Sequence, residues 1–144
     1  MYAFSIHPWA ILVAAIVSFA IGSIWYSPVG FAPTWIRITG VTAEAKHQRD
    51  RVTRYINFGL IFLSLIIVAL VTAFFQQNLF TPTVGQAIAA SFWLWFLGVG
   101  VVTMVATITE PRRTPADSWK LFAINAGYWL VVFLVTALVV FAMS

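Results

Sequence analysis

Few side chains in this chain of 144 residues could perform acid–base, nucleophilic or metal chemistry. The absence of cysteine excludes disulfides, thiolate metal sites and thiol redox chemistry. His7 and His47 lie in segments that we expect on opposite sides of a membrane, so they cannot share a metal ion within one subunit. Glu110 precedes Pro111 and two arginines, and we expect it to pair with an arginine, with proton transfer as the alternative.

No catalytic motif accompanies these groups. The sequence contains no glycine-rich phosphate loop, no nucleophile elbow and no pair of acids at a catalytic spacing. We therefore predict that the protein is not an enzyme, and that it binds neither a cofactor nor a metal ion.

Polar groups inside apolar segments form a second set of candidates. Asn125 lies in an uncharged run that continues to the C-terminus, and its amide needs a partner on another helix because hydrocarbon offers none. Following the direction of each predicted span places eight side chains at a similar, cytoplasmic-side depth. This candidate polar layer is a dry hydrogen-bond network between helices or, alternatively, the lining of a small cavity. We expect Tyr26 and Asn125 within it to join the first and fourth helices. Its members are Trp25, Tyr26, Asn57, Thr103, Thr107, Glu110, Asn125 and Tyr128.

The segments that must position these groups are long and apolar. Hydrophobic residues make up 62% of the chain and charged residues 8%, with a mean hydropathy of +0.95, against about half and a quarter in soluble domains. Four stretches without charged side chains, 9–26, 56–75, 87–109 and 121–143, are long enough, or nearly so, to cross a hydrocarbon core of about 30 Å. We predict an all-α integral membrane bundle of four transmembrane helices, forming one domain over 1–144.

The charged side chains are confined to two connections, 27–55 and 110–120. With four spans these connections share one side of the membrane, and their Lys and Arg content predicts that this side is cytoplasmic. Both termini should then lie outside, with the protein in a cytoplasmic membrane. The basic side chains predict contact with lipid headgroups rather than nucleic acid. The candidates are Arg37, Arg49, Arg51, Arg54, Arg112, Arg113 and Lys120.

The connection 27–55 should itself contain structure. Pro28, Gly30 and Pro33 prevent simple continuation of the first helix, and the next residues suit a short segment at the headgroup level. Thr42 can cap a further helix, which we expect to run into the second span.

Small residues and one polar face predict how the helices pack. Ala10, Ala14, Ser18 and Gly22 recur every four residues in the first span, and this spacing allows close helix contact in lipid. Ala123 and Gly127 should form a shallow groove for a second helix, so that the fourth helix touches at least two others. The small size and these stripes predict a homo-oligomer. One face of the third span should carry Trp93, Phe96, Gly100, Thr103, Thr107 and Glu110.

Three aromatic-rich segments resemble a known family. They are Trp25-Tyr26-Ser27-Pro28 with Phe31 and Trp35, then Trp93-Leu94-Trp95-Phe96, then the run from Trp119 to Tyr128. In this order they resemble the bacterial membrane family catalogued as domain of unknown function 1761. The resemblance implies a four-span helical protein and implies no particular activity.

We therefore predict a non-enzymatic membrane protein with a structural, accessory or lipid-interacting role, whose partners are membrane lipids and copies of itself. The alternative is a small oligomeric transporter or channel with a polar cavity that opens inward. Small multidrug exporters are comparable in size, but they use a buried Glu in the first span, and this chain has none there.

Overall fold

The computed structural model describes residues 6–41, 44–45, 48–79 and 83–144. Within these ranges the chain forms helices and turns and no strand. Six α-helices have both ends within these ranges: α1 Pro8–Trp25, α2 Ala32–Thr39, α3 Arg51–Asn78, α4 Val84–Trp95, α5 Val101–Ile108 and α6 Pro115–Ala142. Residues 44–45 are also helical. A π-helical segment, Phe96–Gly100, joins α4 to α5.

Four of the helical segments are long and apolar enough to cross a membrane. They are α1, α3, the continuous segment Val84–Ile108 and α6, with 18, 28, 25 and 28 residues. At about 1.5 Å per residue the shortest measures roughly 27 Å, close to the thickness of a hydrocarbon core. The predicted all-α fold with four transmembrane helices is confirmed, and the chain is a multi-pass membrane protein. Val84–Ile108 is called the third span below.

Helix α6 is the central element of the bundle. It packs against α1, α3, the third span and α2. It is also the most buried of the four spans, whereas the third span is the least buried because its main neighbour is α6. The expectation that the helix carrying Asn125 touches at least two others is confirmed.

Small side chains bring α1, α3 and α6 close together. One buried cluster contains Ile11 and Ala14 of α1, Ala69 and Ala73 of α3, and Val140 of α6. Because lipid tails are as apolar as these side chains, the close contact is stabilised by van der Waals packing. The α1 stripe behaves as expected, since Ala10, Ala14 and Ser18 are buried.

A tight turn connects α1 to α2. The backbone N–H of Phe31 donates to the carbonyl of Trp25 at 2.8 Å, and that of Gly30 donates to Ser27 at 2.9 Å. A Cβ at Gly30 would lie 2.5 Å from the carbonyl oxygens of both Ile24 and Trp25. The turn therefore requires glycine at this position, and it directs α2 back toward the end of α1.

The two charged connections lie at the same end of the bundle. Arg37 of α2 forms an ion pair with Asp117 in the first turn of α6, with 3.1 Å between Nη2 and Oδ1. At the other end, one small cavity is lined by His7 before α1, Gln77 near the end of α3 and Ser144 after α6. This arrangement agrees with an even number of crossings.

The prediction that a helix beyond Gly40 runs into the second span is wrong. Asp50 has ψ 146°, an extended value, and α3 begins only at Arg51. The proposed cap Thr42, together with Lys46 and His47, lies outside the described residues.

The prediction of a single polar face along the third span is also wrong. Trp93 and Phe96 are exposed at the bundle surface, while Gly100 and Thr107 are buried. The prediction assumed a uniform helical period, but the π-helical segment bonds i to i+5 and so changes the angular offset between the two halves of the third span.

The groove predicted on α6 is not observed either. Ala123 is exposed, so Ala123 and Gly127 do not form the expected groove for a second helix.

Candidate functional site

Three side-chain hydrogen bonds join α1 to α6. The Tyr26 hydroxyl donates to Oδ1 of Asn125 at 3.0 Å. Trp25 Nε1 donates to the carbonyl of Ile124 at 3.0 Å, and the Tyr128 hydroxyl donates to the carbonyl of Ser18 at 3.3 Å. We call Trp25, Tyr26, Asn125 and Tyr128 the clasp. The structure places Tyr26 and Asn125 in contact between the first and fourth spans, as expected from the sequence.

Two glycines make room for the rings of the clasp. A Cβ at Gly22 would lie 2.7 Å from the Tyr128 hydroxyl, and one at Gly127 would lie 3.4 Å from the Trp25 indole. Each helix thus contributes one glycine that accommodates an aromatic ring of the other. Gly127 therefore leaves room for the Trp25 indole. The sequence pattern instead predicts that Gly127 allows the backbone of a second helix to approach α6.

A further tryptophan reaches the same stretch of α6 from the third span. Trp95 Nε1 donates to the carbonyl of Ala126 at 2.9 Å. Its ring lies against Gly100, where a Cβ would be 3.4 Å from the indole. In the sequence, Trp95 is notable only as part of an aromatic motif. Its contact with Gly100 depends on the π-helical segment, which has no signature in the helical periodicity of the sequence.

Three members of the clasp, Tyr26, Asn125 and Tyr128, line a cavity of about 660 Å³ between α1, α2, α3 and α6. This volume lies within the range of about 300–1,000 Å³ that is usual for ligand sites. Its polar side chains are two tyrosines, one serine and one asparagine, and its two tryptophans each carry an indole N–H. The hydrogen-bond network and the cavity, considered as alternatives from sequence, are therefore both present. We call this space the aromatic cavity, lined by Phe19, Gly22, Ser23, Tyr26, Trp35, Phe58, Ile61, Asn125, Tyr128 and Trp129.

A second space of about 550 Å³ adjoins the aromatic cavity. Trp35, Phe58 and Ile61 line both spaces and so form a common wall. Arg49, Arg54 and Asn57 also contribute to the lining of this second space, whose surface is mostly apolar. We call it the arginine groove, lined by Trp35, Val41, Ala45, Arg49, Arg54, Asn57, Phe58 and Ile61.

The predicted polar layer is not one network. Asn57 lines the arginine groove rather than the clasp. On the third span, the Thr107 hydroxyl donates to the carbonyl of Thr103 in its own helix at 2.6 Å. Oε1 of Glu110 accepts from the backbone N–H of Arg112 at 3.3 Å. The hydroxyl of Thr107 in the third span and the carboxylate of Glu110 in the following turn thus bond to nearby backbone groups rather than to the clasp.

The predicted headgroup residues occupy different environments. Arg37 pairs with Asp117, and in the part of the chain that the structure describes this is the single ion pair. The expected pairing of Glu110 with an arginine side chain is therefore absent there. Arg49 and Arg54 line the arginine groove. The others lie at the surface outside both spaces: Arg51, Arg112 and Lys120 are exposed, and Arg113 is partly exposed. Among the described residues no group of three His, Asp or Glu side chains could hold a metal ion.

One family model matches nearly the whole chain. The model of the family described as Protein of unknown function (DUF1761) matches residues 9–141, so the chain belongs to that family. No curated protein and no solved structure matches the chain. The matched range contains the whole clasp and every residue that lines the aromatic cavity and the arginine groove.

Proposed function

We propose that this member of the DUF1761 family is a non-enzymatic protein of the bacterial cytoplasmic membrane that binds a membrane lipid in the aromatic cavity. The observation that carries the proposal is the cavity itself, which is lined by aromatic and aliphatic side chains and has polar groups on one wall. A lipid needs this combination, because its chains are apolar and its ester groups are polar.

Polar groups must supply part of the preference for a bound lipid. Moving an acyl chain from the bilayer into the cavity yields little hydrophobic free energy, because both environments are apolar. Packing of the acyl chain against aromatic rings and hydrogen bonds to the ester oxygens can make the cavity more favourable than the bilayer. The bond with Tyr26 uses Oδ1 of Asn125 and leaves its amide N–H groups able to donate to an ester carbonyl.

The chemistry of the lining supports a non-enzymatic role. The described residues that line the aromatic cavity include no histidine, carboxylate or lysine that could transfer a proton near neutral pH. The phenols and the amide are groups that bind and orient, which is the role we assign to them.

A transport pathway would have to form between subunits. Ala15, Leu65 and Val132 are buried in the same cluster as Tyr128, which lines the cavity. These side chains fill the space between α1, α3 and α6, so the cavity ends within the bundle. Flux of a substrate through liposomes at a rate lowered by Asn125→Leu would favour the transporter over the lipid-binding role.

Orientation and self-association complete the proposal. We propose that the two charged connections face the cytoplasm, because they hold all the Lys and Arg residues of the chain. We also propose that two or more copies associate through the third span, which leaves Trp93, Leu97 and Val102 exposed at the bundle surface.

Two matched serine variants test lipid binding. Ser23 lines the aromatic cavity, whereas Ser64 of α3 lies outside its lining, and each hydroxyl donates to the carbonyl four residues earlier. Ser23→Phe should fill part of the cavity and reduce the lipid retained through detergent purification, as measured by native mass spectrometry. Ser64→Phe should leave retention unchanged. Equal retention in wild type and both variants would contradict the proposal.

A further inference from the structure

The arginine groove places positive charge beside the aromatic cavity. Arg49 lies just before α3 and Arg54 lies in its first turn, and both line the groove together with Asn57. The described residues of this lining include no carboxylate. The lining is mostly apolar and both arginines are exposed, so a ligand in the groove would lie along their aliphatic stems, with the two guanidinium groups at its exposed edge.

The other described arginines lack this arrangement. Arg37 is paired with Asp117, and Arg51, Arg112 and Arg113 lie outside both spaces. Guanidinium groups match the geometry of a phosphate, to which they donate two parallel hydrogen bonds. Charge complementarity thus points to a phosphate group at Arg49 and Arg54.

The spacing along α3 suits a phospholipid. Arg54 and Ile61 are seven residues apart, which is about 10 Å along a helix. This length covers the distance from a headgroup phosphate to the upper part of an acyl chain, since the interfacial layer on each side of the core is several Å thick. The wall shared by the two spaces, Trp35, Phe58 and Ile61, lies along this path.

We propose that the arginine groove and the aromatic cavity form one amphipathic site that selects an anionic phospholipid. Its phosphate binds Arg49 and Arg54, and its acyl chain passes along the shared wall into the aromatic cavity. This inference rests on the proposed lipid-binding function and adds selectivity for headgroup charge.

The test uses two charge-matched double variants. Arg49→Gln with Arg54→Gln and Arg112→Gln with Arg113→Gln each remove two positive charges. The full chain in detergent is titrated with phosphatidylglycerol or phosphatidylcholine, and the bound fraction is measured by native mass spectrometry. Wild type should bind phosphatidylglycerol more tightly than phosphatidylcholine. The affinity for phosphatidylglycerol should fall about fivefold for each groove arginine that is replaced. The variant at 112 and 113 should keep the preference.

Each outcome supports or overturns either the selectivity for an anionic lipid or the lipid-binding function. Loss of the preference in the groove variant, with phosphatidylcholine binding unchanged, supports the inference, as does recovery of the preference in Arg49→Lys with Arg54→Lys. Equal binding of both lipids by wild type overturns the selectivity but leaves the lipid-binding function in place. An equal loss in both double variants shows general surface attraction and also overturns it. Binding of neither lipid by the folded protein rejects the proposed function itself.

Discussion

Replacing Asn125 with Leu should weaken the contact between α1 and α6. The substitution removes the acceptor of the Tyr26 hydroxyl, which lies 3.0 Å from Oδ1 and is only partly buried. Leu branches at Cγ as Asn does, and its larger volume can extend into the aromatic cavity that Asn125 lines, so the change removes a polar contact without overpacking the helix contact. The change in the free energy of unfolding should therefore report the loss of the hydrogen bond between Tyr26 and residue 125.

The expected magnitude is modest. Hydrogen bonds between membrane helices contribute about 0.6 kcal/mol on average and up to about 1.7 kcal/mol. A hydroxyl left without its partner costs about 1–3 kcal/mol when fully buried. Tyr26 borders a cavity and can find another partner there, so we expect a loss of about 1 kcal/mol for Asn125→Leu and a similar loss for Tyr26→Phe.

A double-mutant cycle isolates the pair. The free energy of unfolding is measured in mixed micelles by denaturant titration for wild type, Tyr26→Phe, Asn125→Leu and the double variant. A coupling of about 0.6–1.5 kcal/mol is expected. Asn57→Leu is the control, since Asn57 is outside the clasp and its replacement should change stability by less than about 0.5 kcal/mol. Additive losses at positions 26 and 125 would refute the role of this bond.

Three further predictions test the turn, the ring packing and the topology. Gly30→Ala should lower the free energy of unfolding by about 3 kcal/mol or more because its Cβ would meet two carbonyl oxygens, whereas Gly59→Ala, with nothing within 4 Å, should change it by less than about 1 kcal/mol. Gly22→Ala should cost about 1–3 kcal/mol in the same unfolding assay, and Tyr128→Phe should recover part of that loss because it removes the contacting hydroxyl; no recovery would contradict the packing described. In this cysteine-free chain, Val29→Cys and Arg112→Cys should react with an impermeant maleimide only after cells are permeabilised, and Ser144→Cys should react in intact cells; the reverse pattern would overturn the orientation.

Several features of the fold follow directly from the sequence. The four apolar runs predict the spans, and the charged connections between them predict which ends lie together, as the Arg37–Asp117 contact shows. Asn125 indicates a central helix because a buried amide needs a partner. Its partner could be predicted because Tyr26 is the polar residue at the matching end of α1.

Other features depend on tertiary geometry that leaves no periodic signal. The π-helical segment moves Trp93 and Phe96 to the surface and directs Trp95 toward Ala126. The aromatic cavity exists because α2 folds back after the turn at Gly30 and brings Trp35 over the α1–α6 contact. A helix period predicts which residues share a face, but it does not predict where a connection returns.

Photo-crosslinking most directly tests whether the aromatic cavity binds lipid. A phosphatidylglycerol analogue with a photoreactive acyl chain is titrated into the purified protein, and adducts are mapped by peptide mass spectrometry. We predict labelling that saturates at about one lipid per chain and falls on residues of the cavity such as Phe19, Phe58 and Ile61. Labelling that rises without saturation and falls equally on exposed residues of the third span, such as Leu97 and Val102, would contradict a specific lipid site.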